Sequence, residues 1–290
     1  MNEDKKRKIG ISLAILAALL YAINSPFSKI LLNYMPPTLM AGFLYLGAGL
    51  GMLPIAWLRK AKNETQSEAR LTRKELPYTI GMIVLDIAAP IFLLFGLERT
   101  TAANASLLNN FEIVATALIA MTIFKEKIDR RLWSGIFFVT LSCALLSFED
   151  LSSFNFSVGS LFVLMAASCW GLENNCTRKI SSKDPLQIVL LKGIFSGTGS
   201  IIIGLTIGEK LQNIWSIFAV MLVGLIAYGL SIFFYVYAQR LIGAARTSAY
   251  YAIAPFVSTL LSIIIFHDIA NPLIFSLALV LMAIGAWLCR

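Results

Sequence analysis

A chain of 290 residues that is 58% hydrophobic and only 14% charged cannot cover the surface of a soluble fold of its size. Soluble domains run nearer about 25% charged, so a soluble enzyme, a nucleic-acid binder and a disordered chain are all excluded. The net charge of +8 looks like a nucleic-acid signature only until the basic residues are placed.

A membrane-crossing helix needs about 20 mostly apolar residues, since roughly 30 Å of hydrocarbon must be covered at about 1.5 Å per residue. In chain order the sequence predicts ten: 9–33, 37–58, 76–97, 103–124, 132–148, 158–179, 186–207, 214–239, 246–266 and 272–289. Short polar breaks separate them, and only 59–75 forms a longer, charged loop. No cleavable leader is expected, because the first apolar run is too long for a signal core and no small-residue cleavage site follows it. With no domain-sized loop, nearly all function must sit inside the bilayer.

Lysine and arginine in short loops set orientation. If the N-terminus is cytoplasmic, the cytoplasmic side collects residues 5–8, the 59–74 loop, 125–131, 178–183, Arg240, Arg246 and Arg290. That is twenty of the 24 basic residues. Arg99 and Lys210 fall outside, and Lys29 and Lys192 lie within spans. Both termini are therefore expected to be cytoplasmic, in the inner or plasma membrane of the cell. The basic excess is read as topology, with no nucleic-acid partner.

The chain also repeats itself. An offset of 149 sets Gly10 on Gly159, Ala17-Ala18 on Ala166-Ala167, Tyr21-Ala22 on Trp170-Gly171 and Lys29 on Arg178. An offset of 148 sets Pro37 on Pro185, and Gly49 and Gly51 on Gly197 and Gly199. An offset of 142 sets Ala102-Ala103 on Ala244-Ala245, Ser106 on Ser248 and Glu126 on Asp268. The expected fold is all-α: a polytopic membrane protein of ten transmembrane helices, built as two five-helix repeats over 1–150 and 151–290. Five is odd, so the second repeat enters the membrane inverted. Inverted repeats are the signature of secondary transporters; duplicated channels and membrane enzymes are the alternatives.

Two motifs carry a family resemblance. Tyr21-Ala22-Ile23-Asn24 in the first span returns as Trp170-Gly171-Leu172-Glu173-Asn174 in the sixth. Thr101-Ala102-Ala103-Asn104-Ala105-Ser106-Leu107-Leu108 leads through Phe111-Glu112 to Lys125-Glu126-Lys127, with a ninth-span counterpart from Ala244-Ala245 through Ala254-Pro255 to His267-Asp268. With the 5+5 pattern, these resemble the drug/metabolite transporter superfamily, specifically the EamA-like exporters, over essentially the whole chain. Ile113 stands where a proline is common, and Tyr21-Ala22 replaces the more usual Trp-Gly. The resemblance implies export of metabolites.

Ionisable groups inside a span are costly and mark function by default. Asp86 lies about ten residues into the third span and Glu112 about nine into the fourth, both near the midplane. Asn109 sits one helical turn before Glu112, and Ala105 and Thr116 extend that face, a cavity-lining strip. The repeat sets Asp86 on Tyr228 and Asn109 on Tyr251, so the opposite wall is expected to be aromatic. Glu112, with Asp86, is the candidate to contact a cationic group of the substrate or to exchange a proton. A protonated carboxyl bonding across helices is the structural alternative. Asn24 and Trp170 complete the substrate-binding candidates with Asp86, Asn109, Glu112, Tyr228 and Tyr251. Glu173 and Lys192 lie at similar depth in neighbouring antiparallel spans and predict an ion pair, structural or acting as a gate. Lys29 is expected to snorkel to the headgroups. The pairs Gly47 and Gly51, Gly193 and Gly197, and Gly204 and Gly208 are expected to pack helices within the chain. Pro26, Pro54, Pro90 and Pro255 are expected to kink spans or expose carbonyls.

Other chemistries find little support. Cys143, Cys169, Cys176 and Cys289 make no CxxC pair, the lone His267 lies in a loop, and no Walker A loop or GxSxG elbow is present. No cofactor, metal or ATP-driven step is expected. The expectation is a secondary transporter moving amino acids, amines or similar solutes by alternating access, as an exporter. A lipid-linked substrate flippase, or a membrane enzyme acting on lipids, is the alternative. The partners are a small-molecule substrate and the bilayer; monomer and dimer stay open.

Overall fold

The computed structural model describes residues 3–61, 69, 71–123, 125, 130–150, 155–180, 182–211, 213–242, 247, 250–267 and 271–288. Phe124, Glu126, Lys127, Ala244, Ala245, Ser248, Asp268 and Cys289 lie outside the described residues. In hydrocarbon the backbone must satisfy its own hydrogen bonds, so the apolar runs are helical. The first span is α1 (Glu3–Ala22) and α2 (Asn24–Leu31), followed by α3 (Pro37–Ala61), α4 (Leu76–Arg99), α5 (Ala102–Leu108), α6 (Phe111–Thr122) and α7 (Arg130–Ser147). A short antiparallel pair, β1 (Phe148–Asp150) with β2 (Asn155–Phe156), stands where the sequence predicted only a polar break. Then come α8 (Val158–Ile180), α9 (Pro185–Leu191), α10 (Gly197–Thr206), α11 (Ile214–Gly224), α12 (Ser231–Ile242), α13 (Ala254–Phe266) and α14 (Pro272–Leu288). Among the described residues six helical stretches are long and apolar enough to cross a bilayer, and α13 and α14 are shorter apolar helices.

Three spans are interrupted, for identifiable reasons. Pro26 lies in the first turn of α2 and Pro255 in the first turn of α13. Neither has an N–H to return to the carbonyl four residues back, so the helix breaks just before each, at Ile23 and at Ala252-Ile253. In the fourth span Ile113 stands at the corresponding place, yet the helix still breaks at Asn109-Asn110. There the Asn110 side chain donates to the Leu107 carbonyl at 3.0 Å, and the N–H groups of Glu112 and Ile113 bond only three residues back. Asparagine competing for backbone groups does the work that proline does elsewhere. Pro54 and Pro90 lie inside α3 and α4, which run on through them.

The seventh and eighth spans each contain a π-helical turn, Lys192–Ser196 between α9 and α10 and Leu225–Leu230 between α11 and α12. Helix α3 is clasped between these two spans at glycine contacts. A Cβ on Gly193 would strike the Gly49 backbone, and one on Gly224 would strike the Leu44 carbonyl oxygen. Gly47, Gly51, Gly197 and Gly204 likewise meet other helices of the same chain, whereas Gly208 has open space around it and a φ of +85°. Elsewhere α4 packs on α8, α1 on α12, α6 on α8, α1 on α13, α5 on α13 and α7 on α14.

Lys29 does not snorkel. Its ammonium donates to the Leu97 carbonyl, and to the Thr100 carbonyl at 2.9 Å, at the end of α4. The last carbonyls of a helix lack intrahelical partners and carry partial negative charge, a nearer destination than the headgroups. Trp57, Trp133 and Trp215 are exposed on the outside of the bundle, as expected of interfacial residues.

Candidate functional site

About half-way along the helices, α1, α3, α4, α6, α8, α12, the two π turns and Tyr251 enclose a cavity of about 110 Å³. Its most polar part is a buried charge cluster. The Lys192 ammonium lies 2.6 Å from Glu173 and 3.2 Å from Asp86, with the three side chains between 1% and 6% exposed. The Tyr45 hydroxyl donates to the other Asp86 oxygen at 2.8 Å, and Thr177 donates to Glu173. Charges taken out of water persist only when paired and hydrogen-bonded, and here both carboxylates are. The expected Glu173–Lys192 pair is present, and Asp86 joins it as a third member.

Glu112 sits apart from this cluster. The Asn174 amide donates to its Oε1 at 2.5 Å and also approaches the Thr116 hydroxyl at 3.4 Å. Around it the wall is aromatic. Tyr21 lies edge-on to Tyr228 at 5.9 Å between ring centroids and 6.0 Å from Tyr251, while Tyr235 contacts Tyr251 at 4.8 Å. Tyr45 reaches Tyr228 at 5.0 Å. Trp170 completes the lining on the α8 side.

Of the candidates, Asp86, Glu112, Trp170, Glu173, Lys192, Tyr228 and Tyr251 all line this one cavity. Asn24 and Asn109 do not; each stands one hydrogen bond behind the wall. Asn24 donates to the Tyr228 hydroxyl at 3.0 Å and accepts from Ser28, and Asn109 donates to the Tyr21 hydroxyl at 3.4 Å. Their role in the geometry is to orient two tyrosines. Tyr21, Tyr45, Asn174, Thr177 and Tyr235 also line the cavity and are not among the candidates. The available signal was weak: a tyrosine in an apolar span needs a partner for its hydroxyl, but the sequence does not say which one. Among the described residues no three His, Cys, Asp or Glu side chains converge as metal ligands do.

Thr177 near the end of α8 and Tyr235 and Val236 in α12 carry the cavity lining toward the end where Gly10 of α1 meets Ile242 of α12. Toward the opposite end lie the Asn24–Tyr228 bond and the Ser106 and Ser258 hydroxyls, 2.9 Å apart between α5 and α13.

Comparison with known proteins agrees with this architecture. A protein of Methanothermobacter thermautotrophicus described as an uncharacterized transporter is 27% identical over 279 residues, covering 91% of this chain and 81% of that one. The uncharacterized transporter YyaM of Bacillus subtilis is 23% identical over 249 residues, covering 81% of this chain and 79% of its own length. A solved crystal structure at 17% identity superposes with a TM-score of 0.66 over 98% of this chain and 95% of that chain, a likeness of fold alone. The sequence profile of the EamA-like transporter family matches twice, over residues 8–148 and 157–290. A multi-pass membrane transporter, and not an enzyme, is what the apolar helices and these relatives describe, and the chain belongs to the EamA-like transporter family.

Proposed function

We propose that this chain is a ten-span secondary transporter that moves small organic solutes, amino acids and amines among them, out of the cell by alternating access. The observation that carries the reading is a cavity about half-way along the helices, lined from both halves of the sequence by buried ionisable and aromatic side chains. Solute meets Asp86, Glu112, Trp170, Tyr228 and Tyr251 there, with Asn24 and Asn109 behind them and Glu173 and Lys192 at the rim of the charged side.

Several features support two inverted repeats over 1–150 and 151–290. The packing of α4 on α8 has its counterpart in α12 on α1, and that of α6 on α8 in α13 on α1. Under the 142-residue offset, the break at Asn109-Asn110 falls beside the one at Ala252-Ile253. The concentration of basic residues in alternate loops supports cytoplasmic termini in the inner or plasma membrane. In that orientation Thr177, Tyr235 and Val236 carry the cavity lining toward the cytoplasmic side, the side from which an exporter loads.

The test is flux in proteoliposomes of purified protein loaded with labelled amino acids and amines. Saturable efflux above empty liposomes is expected. Turnover or scrambling of lipid-linked substrates without solute flux would favour the flippase or lipid-enzyme alternative. Proton exchange at Glu112 predicts that a pH gradient drives flux and that Glu112→Gln abolishes that drive. Flux indifferent to both removes proton exchange from the mechanism.

A further inference from the structure

The charged groups around the cavity are not equivalent, and their pairing says which solutes fit. Lys192 is the one lysine or arginine lining the cavity among the described residues, and it is already held by Glu173 at 2.6 Å and Asp86 at 3.2 Å. Among the described residues Glu112 forms no ion pair; the Asn174 amide donates to it at 2.5 Å. Formally the lining carries three carboxylates against one ammonium. Tyr21 and Tyr251 line the same cavity as Glu112, and their rings lie 6.0 Å apart. A carboxylate beside aromatic faces attracts an organic cation twice, by ion pairing and through the negative ring faces.

A solute carboxylate meets the reverse. Its natural partner, Lys192, is engaged on two sides, and the remaining charge in the cavity repels it. A zwitterionic amino acid would gain at one end and lose at the other. Size narrows the choice further: an apolar cavity of about 150 Å³ holds one benzene ring, and this one measures about 110 Å³.

We infer that the solute selected here is a compact primary amine bearing a net positive charge, with Glu112 as its counter-ion and Tyr21 and Tyr251 as its walls. Amino acids and carboxylates of the same skeleton are disfavoured. This inference rests on the cavity being the solute site of the transporter proposed above, and it narrows the solute class.

Matched skeletons test it. Isoamylamine is leucine without its carboxylate and 4-methylpentanoate is leucine without its amine; propylamine, 2-aminobutyrate and butyrate form a second, smaller set. Titration calorimetry on the wild-type protein in detergent should give each amine a Kd at least tenfold below that of its amino acid, with the weakest binding for the acids. Glu112→Gln should remove that preference, and Glu112→Asp should keep part of it. The wild-type ranking stands as a test even if neither variant folds. Equal or tighter binding of an amino acid or acid, no amine binding, or a preference that survives Glu112→Gln would each overturn the inference. Flux of the same compounds in proteoliposomes separates the two readings. Leucine carried in preference to isoamylamine overturns the amine inference and leaves the transporter. Selective amine binding without flux of any compound supports the amine inference and counts against transport.

Discussion

An ammonium buried between two carboxylates is stable only while all three are present, because each has given up water for the others. Replacing Lys192 by methionine keeps the volume but leaves Asp86 and Glu173 facing each other without a counter-charge. A loss of about 3–5 kcal/mol is expected from breaking such a buried cluster on one side. It should appear as a lowered unfolding temperature in detergent, and adding Asp86→Asn and Glu173→Gln to Lys192→Met should recover most of it. A single Lys192→Met variant as stable as wild type would mean that water reaches and solvates the trio. The sequence reveals the Glu173–Lys192 pair because equal depth in consecutive antiparallel spans is simple arithmetic. It does not reveal Asp86 as the third member. That depends on the rotation of α4 against α8, which side-chain packing decides after the helices form. Lys29 fails for a related reason: its partners are carbonyls freed by the end of a different helix.

At the scale of elements, the apolar runs are legible as helices because hydrocarbon leaves the backbone no alternative, and six of the helical stretches described are long and apolar enough to cross a bilayer. The breaks are half-legible. Pro26 and Pro255 announce two of them, while the Asn109-Asn110 break replaces a proline by side-chain competition and carries a weaker signal. The π turns are not legible at all, since Lys-Gly-Ile-Phe-Ser and Leu-Ile-Ala-Tyr-Gly-Leu read as ordinary apolar helix. What the sequence does mark is the glycine clasp around α3. Gly224→Ala would place a methyl group on the Leu44 carbonyl oxygen, a backbone atom that cannot rotate away. A cost of about 1–3 kcal/mol is expected from such overpacking. Gly81→Ala is the matched control, because its Cβ would meet only the Cys176 sulfur at 3.3 Å, the end of a small side chain. Thermal unfolding of the two variants should separate them, and equal stability would show that α3 can slide to make room.

At the scale of the molecule, the alternating access proposed above requires the contact between α5 and α13 to open and close. The Ser106 and Ser258 hydroxyls, 2.9 Å apart on α5 and α13, are placed to measure it. In a background with the native cysteines replaced by serine, Ser106→Cys with Ser258→Cys should cross-link on oxidation. Alternating access then requires that flux stop when the disulfide forms and return on reduction. Undiminished flux through fully cross-linked protein would mean that this contact does not open during transport.

The two π turns have a consequence of another kind. A turn closed by bonds five residues apart holds one residue more than its α-helical equivalent, and the extra residue re-aims what surrounds it. Lys192 and Tyr228 both belong to such turns, and both are in the second half of the chain. The corresponding stretches of α3 and α4 are regular helix. In the two repeats proposed above, the halves therefore do not present the same surface to the solute. A passive carrier cannot alter the equilibrium set by its gradients. Its two faces can nonetheless differ in half-saturation and in how long each stays open. For the transporter proposed above, that inequality is built into two local departures from the proposed repeat, so its loaded and empty cycles should run at unequal rates in the two directions.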